Sequence, residues 1–145
     1  MVVDAANVMG SRPDGWWRDR PAAAARLHAD LVRLAGREVT VPVRGDTVPV
    51  GEFILVLEGA ARAAMAHISP DGSANGSPVA AEAPEGVPVR VVLAMGSGDE
   101  AIVAAVRELS GECVVVTADR ELRRRCETFG ASVLGPGWML SQFEE

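Results

Sequence analysis

Five short apolar runs punctuate the chain, at residues 1–3, 53–57, 89–94, 113–116 and 131–134. All are rich in Val, Ile or Leu, and the first two, apolar at successive positions, predict strands buried on both faces, while Arg90 and Ser132 interrupt the third and fifth. Between them the apolar spacing changes to a helical period. Pro21 suits the first position of a helix carrying Leu27, Leu31 and Leu34 on one face, with Gly36 closing it. Residues 99–109 predict a helix with Ile102, Val103 and Val106 inside, ended by Gly111. Another follows Asp119, with Leu122, Cys126 and Phe129 inward and Gly130 closing it, and residues 60–68 suit a short helix. Residues 39–43 and 47–50 are broken by Pro and Gly and suit an edge strand or loop. Residues 11–21 predict a loop, and a short tail ends with Trp138 and Phe143. Strands alternating with helices predict a parallel sheet covered on both faces, a three-layer α/β/α fold. Residues 69–88 shift to Gly, Pro, Ser, Ala and acids, a surface loop within a single domain spanning residues 1–145.

The first run is the organising one. Val2 and Val3 lead into Asp4, and Asn7 follows before the chain turns at Gly10, so both polar residues fall where a central strand hands over to its loop. Chemistry in open α/β sheets sits past the carboxyl ends of the strands. The later strands bring further acids to that edge: Glu58 after the second, Asp99 and Glu100 after the third, Asp119 after the fourth. Carboxylates crowded together raise one another's pKa unless a cation balances them. Mg2+ or Mn2+ suits such an all-oxygen site and retains waters that a phosphate can displace. Each acid also has a structural explanation. Asp119 can cap the helix it precedes, Ser97 and Glu100 have the spacing of a capping box, and Glu58 can favour a helix dipole. Asp4 resists such an explanation, because an acid ending an apolar strand needs a partner. Convergence favours Asp4, Asp99 and Asp119.

Composition alters this picture little. The chain has 145 residues, 48% hydrophobic and 4% aromatic, enough for one core built from Val, Leu, Ala and Ile. Its net charge is -6, and all fourteen basic residues are Arg. Arg120, Arg123, Arg124 and Arg125 lie just after Asp119, where they can take phosphates or form a solvated helix face with Glu121 and Glu127. Trp16, Trp17 and Arg18 follow Asn7 closely; the rings can stack on unpaired bases or, for one of the two, pack as core. His28 and His67 suit helix surfaces. Cys113 and Cys126 read as buried, reduced thiols, and no zinc-like spacing exists. No membrane-spanning stretch or signal segment is present, so a cytoplasmic protein is expected.

Three stretches then carry a resemblance. Val2-Val3-Asp4-x-x-Asn7-Val8, Gly98-Asp99-Glu100-x-Ile102 and Val115-Val116-Thr117-x-Asp119 resemble, in order and over nearly the whole chain, the motifs of the PIN-like nuclease superfamily, with the bacterial NYN branch most similar. The resemblance implies a PIN-like parallel sheet and metal-dependent hydrolysis of RNA phosphodiesters. It implies Asp4, Asp99 and Asp119 as metal ligands, with Glu100 beside them and Asn7 and Thr117 lining the site. It also allows a homo-oligomer. The family often has Asp-Gly after the second strand, where this chain has Glu58-Gly59.

Other α/β sites lack their residues here. A P-loop and a response-regulator receiver both need a Lys, a haloacid-dehalogenase-type phosphatase needs an acid where Ala6 stands, and G-x-G-x-x-G does not follow the first strand. Two alternatives to a ribonuclease stay open: a PIN-like module that binds RNA or protein without cutting, and a metal-dependent hydrolase of nucleotides or small phosphate esters.

Overall fold

A computed structural model describes residues 1–13, 15–65, 86–109 and 113–144. Strand β1 (Val2–Asp4) passes directly into helix α1 (Ala5–Gly10). After a single 3-10 turn at Trp16–Arg18 comes α2 (Arg20–Ala35), then the antiparallel hairpin β2 (Thr40–Val43) and β3 (Asp46–Pro49). Next come β4 (Phe53–Leu57) and a 3-10 segment at Gly59–Ala64. The remainder is β5 (Val89–Leu93), α3 (Gly98–Leu109), β6 (Val114–Val116), α4 (Arg120–Thr128), β7 (Ser132–Leu134) and α5 (Pro136–Phe143).

The main sheet has the order β5-β4-β1-β6-β7, every pair parallel, so β1 is central. Successive strand residues point to opposite faces. Val3, Phe53, Leu55, Leu57 and Val116 face a core layer shared with Leu27 and Leu31 of α2, Val8 of α1 and Met139 of α5. Val2, Ile54, Val56 and Val115 face the other side, against Ile102 and Val106 of α3 and Leu122 and Cys126 of α4. The chain is therefore a three-layer α/β/α fold. The β2–β3 hairpin packs Val41 and Val43 against Val114. Cys113 and Cys126 are free and buried, and burial pushes the Cys126 thiol up to about 11. No described helix is long and apolar enough to cross a membrane.

Five expectations change. The chain does not turn in a loop after Asp4: Asp4 is itself the N-cap of α1, so Asn7 sits on a helix. Phe129 is not inward; it lies at the C-cap of α4, half-exposed beneath the Arg107 guanidinium. The tail is helical, with Pro136 in its first turn. Residues 39–50 form a true hairpin. The short helix expected at 60–68 is a 3-10 segment over the residues described, and its end, like most of the 69–88 loop, lies outside them. What is described of that stretch is tied down: Val87 N–H donates to Ala35 O and Phe53 N–H donates to Pro88 O.

Candidate active site

Strand parity selects the site. Asp4 shares its side of the sheet with Val2, Glu58 with Ile54 and Val56, and Thr117 with Val115, so all three face the layer of α3 and α4. From the edge strand β5 the chain enters α3, which packs back across β4 and β1. That crossover carries Asp99, in the first turn of α3, over the end of β1. Asp119 arrives from the neighbouring strand β6 as the N-cap of α4.

Asp4 is only 4% exposed, and hydrogen bonds hold its carboxylate. Asn7 Nδ2 donates to Asp4 Oδ2 at 2.5 Å, Thr117 Oγ1 donates to the same oxygen at 2.9 Å, and Asn7 N–H reaches Oδ1 at 3.4 Å. The partners are fixed in turn. Asn7 Oδ1 accepts from Ala118 N–H at 3.3 Å, and Thr117 Oγ1 accepts from Asp119 N–H at 3.1 Å. Asp119 Oδ1 then accepts from the Glu121 and Leu122 N–H groups at 2.9 and 3.0 Å, leaving Oδ2 outside both cap bonds. One continuous network thus joins the ends of β1 and β6.

Burial raises the pKa of Asp4 above the usual carboxylate range; the bonds from Thr117 and Asn7 oppose that rise and the Glu58 charge adds to it. Asp99 is also raised, first by burial and then by the charges of Asp119, Asp4 and Glu58, with Arg125 opposing. The four acids therefore share one electrostatic site. Glu58 does not stand idle beside them: its Oε2 accepts from Gly98 N–H at 2.6 Å.

Other candidates lie further out. Glu100 is exposed and pairs with Arg125 of α4 at 2.9 Å, while its N–H donates to Ser97 Oγ at 3.4 Å, the Ser97 half of the anticipated capping box. Arg123 pairs with Glu127 at 3.2 Å. Arg120 and Arg124 lie one turn apart on the exposed side of α4, and among the described residues no acid pairs with either. Trp16 packs against the core below α1, and Trp17, its ring at 90° and 6.2 Å away, is 56% exposed with Arg18 against it. The Trp16 ring sits beside Gly10, at the far end of α1 from Asp4. His28 is partly buried, which lowers its pKa, and His67 lies outside the described residues.

The sequence pattern did not single out Gly98, the Ala118 N–H or Arg125 as partners in this arrangement. Period-2 parity carried forward from Val56 would have placed Glu58 facing α3; the Gly98 contact needs the crossover geometry.

The donors are all oxygens, and Asp4 and Asp99 are raised first by burial and then by neighbouring carboxylates, which fits a hard divalent cation in donor type and charge. Among the described residues, no three His, Cys, Asp or Glu side chains are close enough as they stand to enclose a metal ion.

No protein-family model matches the chain, and no curated protein matches its sequence. Among solved structures it is similar to a mutant of Rae1 (YacP) from Bacillus subtilis, with 16% identity over 99% of this chain and 72% of that chain and a TM-score of 0.57. At that identity the likeness is one of fold: the three-layer α/β/α arrangement is shared across nearly the full length of the chain.

Proposed function

We propose that the protein is a PIN-like, metal-dependent ribonuclease of the NYN type, which hydrolyses RNA phosphodiester bonds at the carboxyl edge of the sheet. One observation carries the reading. A carboxylate that is almost fully buried, Asp4, is held by Asn7 and Thr117 at the centre of the sheet, and Asp99 feels the charges of Asp4, Glu58 and Asp119 with only Arg125 opposing. Such an edge is unfavourable for the fold by itself and fits a site that gathers positive charge. Asp4, Asp99 and Asp119 are the residues that would hold Mg2+ or Mn2+. A bound ion would supply an activated water and offset charge on the departing oxygen.

The chain's own groups have separable tasks. Thr117 and Asn7 favour the ionised form of Asp4 against its burial and fix its rotamer. Asn7 is itself oriented by the Ala118 N–H, so its amide cannot turn without losing a bond at each end. Arg120 and Arg124, leading away from the site along α4, suit successive phosphates of a strand. Trp17 and Arg18 offer an exposed stacking surface at the other end of α1.

The test uses fluorescent single-stranded RNA with Mn2+, Mg2+ or chelator, comparing wild type with Asp4→Asn. Cleavage is expected only with metal and only in wild type. Equal cleavage by Asp4→Asn would identify a contaminant and remove the catalytic claim. Metal-dependent thermal stabilisation without cleavage, lost in Asp4→Asn, would instead favour a binding module or a small phosphate ester as substrate.

A further inference from the structure

Glu58 is the one acid of the edge whose carboxylate is bonded to the backbone that carries another. Its Oε2 accepts from Gly98 N–H at 2.6 Å, and Gly98 opens α3 one residue before Asp99. The fit is close. A Cβ at position 98 would lie 3.0 Å from Glu58 Cδ and 3.1 and 3.2 Å from its two oxygens, so the carboxylate fills the space that a larger residue would need. Gly98 is buried, and Glu58 reaches it from the end of β4, at the first turn of α3 that carries Asp99. An anion bonded at the first amide of a helix also gains from the helix dipole. Gly98 N–H has no intrahelical acceptor of its own, so Glu58 satisfies a group that would otherwise be left open.

The same carboxylate acts unfavourably on its neighbours. Glu58 is among the charges that raise both Asp4 and Asp99. If its only task were to cap α3, a neutral acceptor such as Gln would do so without repelling two acids. If its task were to ligate an ion, the shorter Asp would keep the charge. These two alternatives assign opposite ranks to the same pair of variants.

We infer that Glu58 is a positioning residue: through its bond to Gly98 N–H it fixes where the first turn of α3 presents Asp99 to the acidic site. This rests on the ribonuclease reading and adds to it a fourth acid that acts through the backbone and not as a ligand. What matters at position 58 is then acceptor reach, not charge. Asp is one methylene shorter and falls about 1.5 Å short of Gly98 N–H, whereas Gln keeps both the length and a carbonyl oxygen.

The experiment compares Glu58→Gln, Glu58→Asp and Glu58→Ala with wild type in three measurements: exchange of the Gly98 and Asp99 amides by NMR, Mn2+ affinity, and kcat and KM for single-stranded RNA. Glu58→Gln is expected to keep amide protection, with kcat and Mn2+ affinity within about threefold of wild type, and to melt no lower in the absence of metal. Glu58→Asp and Glu58→Ala are expected to lose protection at Gly98 and to lose about 10- to 100-fold in kcat or Mn2+ affinity, the usual cost of removing a group that orients a ligand. KM for RNA should stay unchanged, because substrate contacts are not involved. A merely structural cap would lower stability in Glu58→Asp while leaving kcat and Mn2+ affinity alone, and that result overturns the inference. So does an Asp variant that outperforms the Gln variant, which would make Glu58 a ligand. A wild type that neither binds Mn2+ nor cuts RNA removes the ribonuclease reading, and this inference with it, whereas a working wild type with the wrong variant order removes this inference alone.

Discussion

Thr117→Val is the sharpest probe of the buried network. Valine has nearly the shape of threonine and replaces only the hydroxyl, which is buried and makes two bonds: it donates to Asp4 Oδ2 at 2.9 Å and accepts from Asp119 N–H at 3.1 Å. A hydrogen bond to an ionised carboxylate contributes about 1.5–3 kcal/mol, and an amide left without its acceptor at a partly buried site costs about 1 kcal/mol. Together these predict a loss of about 2.5–4 kcal/mol at neutral pH. That is a large fraction of the stability of a domain this size.

The pH dependence separates the two contributions. Burial raises Asp4, so the folded state holds this proton to higher pH than the unfolded state does. The contribution of Asp4 to stability therefore falls as pH rises from the ordinary carboxylate range through the raised folded value. Thr117 donates to the ionised form and limits that fall. Without it the folded pKa rises further, the fall with pH steepens, and the penalty for Thr117→Val grows with pH. At acid pH only a neutral bond and the Asp119 amide remain to be lost, about 1.5–2.5 kcal/mol. Urea unfolding of both proteins at about pH 7.5 and about pH 4.5, followed by circular dichroism, measures the difference directly, provided the slopes agree. A penalty that is equal at both values, or larger in acid, would refute the claim that Thr117 supports an ionised Asp4.

Two further outcomes follow from the same geometry. Asp99 is raised by burial and by three like charges, so its ionised form is disfavoured in the folded state at neutral pH. Asp99 is mostly solvated, so screening reduces the gain to ~0.5 kcal/mol. Asp99→Asn should then melt about 2 °C higher than wild type without metal, should lose that advantage in acid, and should lose metal-dependent cleavage; a lower melting temperature at neutral pH would contradict it. Arg120→Ala and Arg124→Ala should each weaken RNA binding regardless of sequence and reduce the slope of log K against log salt by about 0.7, with stability unchanged, as fluorescence anisotropy over a salt series would show. An unchanged slope would place the RNA elsewhere.

The sheet and its acidic edge were legible because both depend on local patterns that survive folding unchanged. Continuous apolar runs mark the buried central strands β1, β4 and β6, and a shared strand direction takes Asp4, Glu58 and Thr117 to one edge whatever the strand order. Short elements were not legible. The six residues of α1 contain less than two full turns, too few for periodicity to show and far too few for independent stability. The helix exists because Asp4 caps it and because Val8 and Met9 are buried in the core layer that contains α2. Phe129 misled for a related reason. It stands seven residues after Leu122, on the same projected stripe, but the helix ends at Thr128 and the backbone turns the ring towards Arg107.

The same limit applies to the candidate site and shows what kind of information a strand pattern omits. Asp4 reads from sequence as a carboxylate delivered to an edge, and it is that; yet its second duty, capping α1, makes the edge rigid. Because Asp4 both ends β1 and starts α1, its side chain cannot swing away without releasing the Asn7 N–H and, through Asn7, the Ala118 N–H on the neighbouring strand exit. Asp119 repeats the device on α4, holding two amides with Oδ1 while Oδ2 takes no part in the cap. Helix capping and site chemistry are therefore not competing explanations for these acids. The cap bonds hold Asp4 and Asp119 in place at an edge where like-charge repulsion alone would turn them out to solvent.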